Sequence, residues 1–131
     1  MYYGAASGGQ VYRIPAGALA DPELPPEELQ ALIEPYASKP VSDGFRVDGH
    51  GRVIVTDLSE SGIGVTGPLG YELLIADSER LRWPNGLAFD SNGAVIVTVN
   101  ELHRHPELNG GEDESSGSYA ILRLNEVKAE Q

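Results

Sequence analysis

Apolar residues in this chain come in short runs separated by turn residues, and within the runs the spacing is that of strands. Val53-Ile54-Val55 and Val95-Ile96-Val97 are β-branched triplets, a composition that suits strands buried on both faces. Ile63 to Thr66 and Tyr71 to Ile75 predict two more strands, divided by Gly67-Pro68-Leu69-Gly70. Val11-Tyr12-Arg13-Ile14 and Ile121-Leu122-Arg123-Leu124 alternate in polarity and resemble each other. One short helix is predicted near 26–32, where Pro25-Pro26 opens the segment and Glu27 and Glu28 fall in the first turn. Strand-forming sequence resumes at about Ile33. The stretch from Asn100 to Gly117, rich in Asn, Gly, Glu and Ser, predicts a long loop between two strands.

The runs repeat. Asp43-Gly44-Phe45-Arg46-Val47-Asp48-Gly49-His50-Gly51-Arg52-Val53-Ile54-Val55-Thr56 aligns without a gap on Asn85-Gly86-Leu87-Ala88-Phe89-Asp90-Ser91-Asn92-Gly93-Ala94-Val95-Ile96-Val97-Thr98. Seven of the fourteen positions are identical, at an offset of 42 residues. A period of about 40–45 residues is that of a four-stranded propeller blade. The fold expected is therefore all-β, a partial β-propeller of roughly two to three blades. Residues 1–24 would form part of one blade and 25–38 a helix and a connecting strand. Residues 39–82 would form a complete blade, and 83–131 most of another, carrying the loop 100–117.

Composition narrows the partners. Nine basic against 20 acidic residues give a net charge of −11, which argues against nucleic acid and anionic membranes, since phosphate binding needs clustered Lys and Arg. The 16 glycines and nine prolines fit a turn-rich fold. There is no cysteine, hence neither disulfide nor thiolate chemistry. No apolar run approaches the roughly 20 residues of a membrane span. Met1-Tyr2-Tyr3-Gly4 lacks the basic start and apolar stretch of a signal peptide and reads as a strand. The expectation is either a cytosolic protein or a chain whose true N-terminus lies further upstream.

Several segments, in order along the chain, resemble the Yellow/major royal jelly family. Met1-Tyr2-Tyr3-Gly4 with Val11-Tyr12-Arg13-Ile14-Pro15 is similar to that family's YYG…LYRVP blade, and Lys39-Pro40-Val41-Ser42-Asp43-Gly44 to its KPxSDG. Leu81-Arg82-Trp83-Pro84-Asn85-Gly86-Leu87, followed by Val99-Asn100-Glu101-Leu102-His103-Arg104, resembles RWPDGL…NxLHR. Tyr119 to Leu124 resembles YRIFRV, and the His103-Arg104-His105-Pro106 variant looks more like the microbial branch. Asn85 departs from the pattern, standing where many members carry Asp. The resemblance implies a six-bladed ring of which this chain covers about the C-terminal third, and an extracellular or periplasmic location.

In a propeller the loop entering each inner strand faces the central channel. Asp43 and Asn85 would occupy that place in neighbouring blades, offering the oxygen ligands that a divalent cation such as calcium prefers. Gluconolactonase-type propellers hold a metal at such positions; the competing reading is ordinary turn chemistry. Resemblance places Asn100 near the family's ligand pocket, where its amide would fix a small polar molecule or else cap the strand end. Trp83 would line the channel or pack between blades, with Arg82 stacked on it or paired with an acid of the next blade. His103 and His105, two apart, would point the same way in extended chain, and His50 would sit exposed in a hairpin turn. No Gly-x-Ser-x-Gly, P-loop or dinucleotide fingerprint is present.

Two functions follow. One is a secreted propeller that binds a small molecule in its channel; the resembled family binds amines, sterols and other ligands, and some relatives are credited with dopachrome conversion. The other is a metal-dependent, gluconolactonase-like lactonase, in which a cation would polarise a carbonyl. A third reading is a truncated, inactive product. In each case unpaired blade edges would call for missing blades or self-association.

Overall fold

A computed structural model describes residues 1–128 of the chain. Among them it places ten strands in three antiparallel sheets, with two short helices. The first sheet comprises β1 (Tyr2–Tyr3), β2 (Gln10–Arg13) and β3 (Glu34–Ser38), in the order β1-β2-β3. Between β2 and β3 run helix α1 (Ala16–Leu19) and helix α2 (Pro26–Ala31). The second helix lies where its proline start and acidic first turn predict. The first is an addition to the single helix expected. Its four residues make one turn with no side-chain cap, so neither periodicity nor a capping residue announces it.

The second sheet is a four-stranded meander, β4 (Phe45–Val47), β5 (Val53–Asp57), β6 (Gly62–Gly67) and β7 (Gly70–Ala76). The third has three strands, β8 (Pro84–Phe89), β9 (Ala94–Val99) and β10 (Ala120–Lys128), in the order β10-β9-β8. Every residue of β5 is buried, as its β-branched run requires, whereas β7 is mostly exposed. Residues 129–131, which close the last expected segment, lie outside the described residues.

The 42-residue repeat is a repeat of hydrogen bonds as well as of letters. Phe45, Arg46 and Val47 pair with Val55, Ile54 and Val53. Leu87, Ala88 and Phe89 pair with Val97, Ile96 and Val95 in the same register. Both hairpins turn on an aspartate. Asp48 Oδ1 accepts the N–H groups of His50 and Arg52, and Asp90 Oδ1 those of Asn92 and Ala94, all at 2.8–2.9 Å. In both the turn closes through a glycine at positive φ, +83° at Gly51 and +79° at Gly93, which a side chain would strain.

The sheets lie side by side in chain order. Tyr36 of β3 donates to the Gly51 carbonyl at 2.6 Å, and the Thr66 hydroxyl donates to the Ser38 carbonyl at 2.5 Å, tying the first sheet to the second. Ile54 and Ile63 of the second sheet bury against Val95, Val97, Val99, Leu124 and Val127 of the third, with Leu81 of the connection between them. That cluster is the main core. It fixes how the starts of β4 and β8 meet.

Candidate functional site

The residues that enter β4 and β8 meet across the boundary between the second and third sheets. Gly44 permits the approach: a Cβ at this position would lie 2.2 Å from the Asn85 carbonyl oxygen. Beside it, Asp43 Oδ2 accepts two hydrogen bonds from the neighbouring sheet. Trp83 Nε1 donates at 2.6 Å and Asn85 Nδ2 at 2.8 Å. Three of the four residues singled out from the sequence are thus one network.

Equivalent threonines hold the two strand starts. Thr56 Oγ1 accepts the N–H groups of Asp43 and Gly44 at 3.0 and 3.1 Å, and Thr98 Oγ1 accepts that of Gly86 at 2.9 Å. Thr56 is fully buried and Thr98 exposed. The Lys39-to-Gly44 segment has its own anchor. Lys39 is buried, and its Nζ donates to the carbonyls of Ala6 and Pro40 and to Ser42 Oγ, at 3.2, 3.1 and 2.9 Å. Burial pulls this ammonium below its ordinary pKa.

Asn100 follows β9 and belongs to the same end of the molecule. Its Oδ1 accepts the Leu102 N–H at 3.0 Å and its own N–H donates to the Trp83 carbonyl, so it serves as a strand-end cap. Asn85, Thr98, Asn100, Tyr119 and Ile121 line an open groove of about 380 Å³. Tyr119 and Ile121 are 73% and 75% exposed, so the groove offers an aromatic and an aliphatic wall to a ligand.

The loop beyond Asn100 is folded. A 3₁₀ turn spans Leu102–Arg104. It overturns the extended geometry expected there. His103 stacks flat on Trp83, with ring centroids 5.6 Å apart and planes 5° from parallel, while His105 lies exposed. Arg82, at the end of segment 39–82, pairs with Glu101 of segment 83–131, which is the second of the two expected alternatives, an acid of the next segment. His50 is exposed in its turn, as expected. Glu101, which in sequence is one of several acids near His103 and His105, is buried, and its carboxyl pKa falls to about 2. Hydrogen bonds from the Ser116 hydroxyl and N–H do most of this, and Arg82 adds to it.

The Asp43–Asn85 pair does not fit a calcium ion. Two N–H donors converge on the carboxylate oxygen that a cation would need, and it is the nitrogen of the Asn85 amide that faces Asp43. Calcium takes six to eight oxygens. Among the described residues, no three His, Cys, Asp or Glu side chains gather to hold a metal.

No family model matches this chain, and a search of curated proteins returned no match. No helix among the described residues is long and apolar enough to cross a membrane.

Proposed function

We propose that this chain is part of a β-propeller of the Yellow/major royal jelly type, which binds a small organic ammonium compound where β4 and β8 begin. Support for the propeller comes from three antiparallel sheets packed in chain order, two of which share register, turn chemistry and a 42-residue spacing. The family likeness rests on the ordered motifs and carries with it an extracellular or periplasmic location.

One observation carries the binding role: Asp43, Trp83 and Asn85, from two sheets, share one carboxylate oxygen beside an open groove. Asp43 supplies the charge at the edge of the groove and Trp83 orients it through its indole N–H, Asn85 with Asn100 forms the polar rim, and Tyr119 closes one wall. The net charge of −11 favours the approach of a cation.

Trp83 is the only tryptophan in the chain, so its emission reports on the site directly. Titration with 2-phenylethylammonium is expected to shift that emission saturably, and Asp43→Asn to weaken binding about tenfold, the value of one modest charge contact. An unchanged Trp83 spectrum up to millimolar amine, or equal binding by the variant, overturns the reading.

A further inference from the structure

Glu101 sits in a surface loop, yet its side chain is only 3% exposed. Its two oxygens serve different parts of the chain. Oε1 accepts from Arg82, which precedes β8, and has Arg104 Nη1 at 3.8 Å. Oε2 accepts both the N–H and the hydroxyl of Ser116, each at 2.6 Å, just before β10. One carboxylate therefore joins the entry to β8, the 3₁₀ turn and the far end of the loop. Backbone bonds close the same ring: Arg104 N–H donates to the Glu101 carbonyl at 2.8 Å, and Glu114 N–H to the Arg104 carbonyl at 3.0 Å. The loop in turn touches the site, because His103 lies on Trp83 and Trp83 donates to Asp43.

We propose that Glu101 is a positioning residue, a latch whose carboxylate holds loop 102–118 closed and so keeps His103 flat against Trp83, aiming the indole N–H at Asp43. Without the latch, the exit of the loop parts from its entry and the stack loses its support on one side. The His103 ring then leaves Trp83 in contact with water. Because the latch is ionic, it depends on the charge of Glu101. Its depressed pKa keeps that charge in place down to strongly acidic pH.

The latch concerns the same site as the proposed amine binding, but it is tested first without ligand. Glu101→Gln removes the charge and keeps the shape, while Ser116→Ala, at an exposed residue, removes the hydroxyl's bond to Glu101 and the one it accepts from the Ser118 N–H. Amide hydrogen exchange across 102–118 is expected to quicken about tenfold in Glu101→Gln and less in Ser116→Ala, with β5 and β6 unchanged. Trp83 emission is expected to move to longer wavelength in Glu101→Gln at neutral pH, where the wild-type carboxylate is charged. Exchange and emission identical to wild type in both variants overturn the latch. Amine titration of the same variants separates the two ideas: a working latch with no amine binding sinks the ligand and spares the latch.

Discussion

Gly44→Ala is the sharpest perturbation available, because its repeat mate supplies the control. The added Cβ would stand 2.2 Å from the Asn85 carbonyl oxygen, at least about 1 Å short of ordinary C···O contact at roughly 3.3 Å. Backbone faces backbone here, so no side chain can swing aside and the starts of β4 and β8 must part. A parting of that size stretches the 2.6 and 2.8 Å bonds to Asp43 beyond hydrogen-bonding distance. Overpacking costs about 1–3 kcal/mol. The two solvent-facing bonds add roughly 1 kcal/mol after screening. Reduced freedom of the unfolded chain returns about 0.4–1 kcal/mol, leaving a net loss of about 1–3 kcal/mol. At Gly86 the same addition meets only Thr98 Oγ1, at 3.0 Å, an exposed side chain able to rotate. Gly86→Ala is therefore expected to stay within about 1 kcal/mol of wild type. Urea unfolding followed by circular dichroism measures both, and Trp83 emission reports the parting directly. Equal midpoints for the two variants, or a Gly44→Ala spectrum like that of the wild type, would refute the close-approach argument.

Other expectations follow from the same geometry. Thr56→Val leaves two buried-edge N–H groups without their acceptor and should cost about 1–3 kcal/mol, against well under 1 for Thr98→Val, where the single N–H can turn to water; equal losses in urea melts would count against this. The folded-state pKa of Glu101 lies below its unfolded value, so its stabilising contribution is complete above about pH 4.5 and disappears as pH falls through about 2. Asp90, held low by Arg123, and Asp113, held low by Ser115, act in the same direction. Thermal melts should therefore decline over that acid range, and less steeply in Glu101→Gln. Open strand edges beside Tyr119 and Ile121 are expected to make the isolated 131-residue chain self-associate; a sharp monomer peak in size-exclusion chromatography across concentrations would contradict that.

Where the sequence was informative, the signal was periodic or local. The 42-residue offset paired Asp43 with Asn85 and Thr56 with Thr98, and each pair lands at equivalent backbone positions. Asp48 and Asp90 were legible because an aspartate two residues before a donor N–H is local chemistry. What stayed hidden depends on residues brought together by the fold. Glu101 reads as one more acid in a polar loop until Ser116, 15 residues on, is seen to bind it. The burial of Lys39 depends on the carbonyl of Ala6, 33 positions earlier, which only the fold brings to it. His103 and His105 looked alike in extended chain, but a 3₁₀ turn sends one onto Trp83 and leaves the other in solvent. Helix α1, a single turn after a proline, is too short for any periodicity to register.

The pairing of β9 with β10 runs in register from Val95 opposite Leu124 to Val99 opposite Ala120, at the very base of the long excursion. The excursion is therefore an insert in a hairpin whose two legs already agree, and the sheet is indifferent to how many residues the insert holds. Its length and chemistry are free to change while the strands beneath keep their partners. Diversification of what this end of the molecule recognises can thus proceed by exchanging the insert alone, since loop closure penalises added residues only slowly.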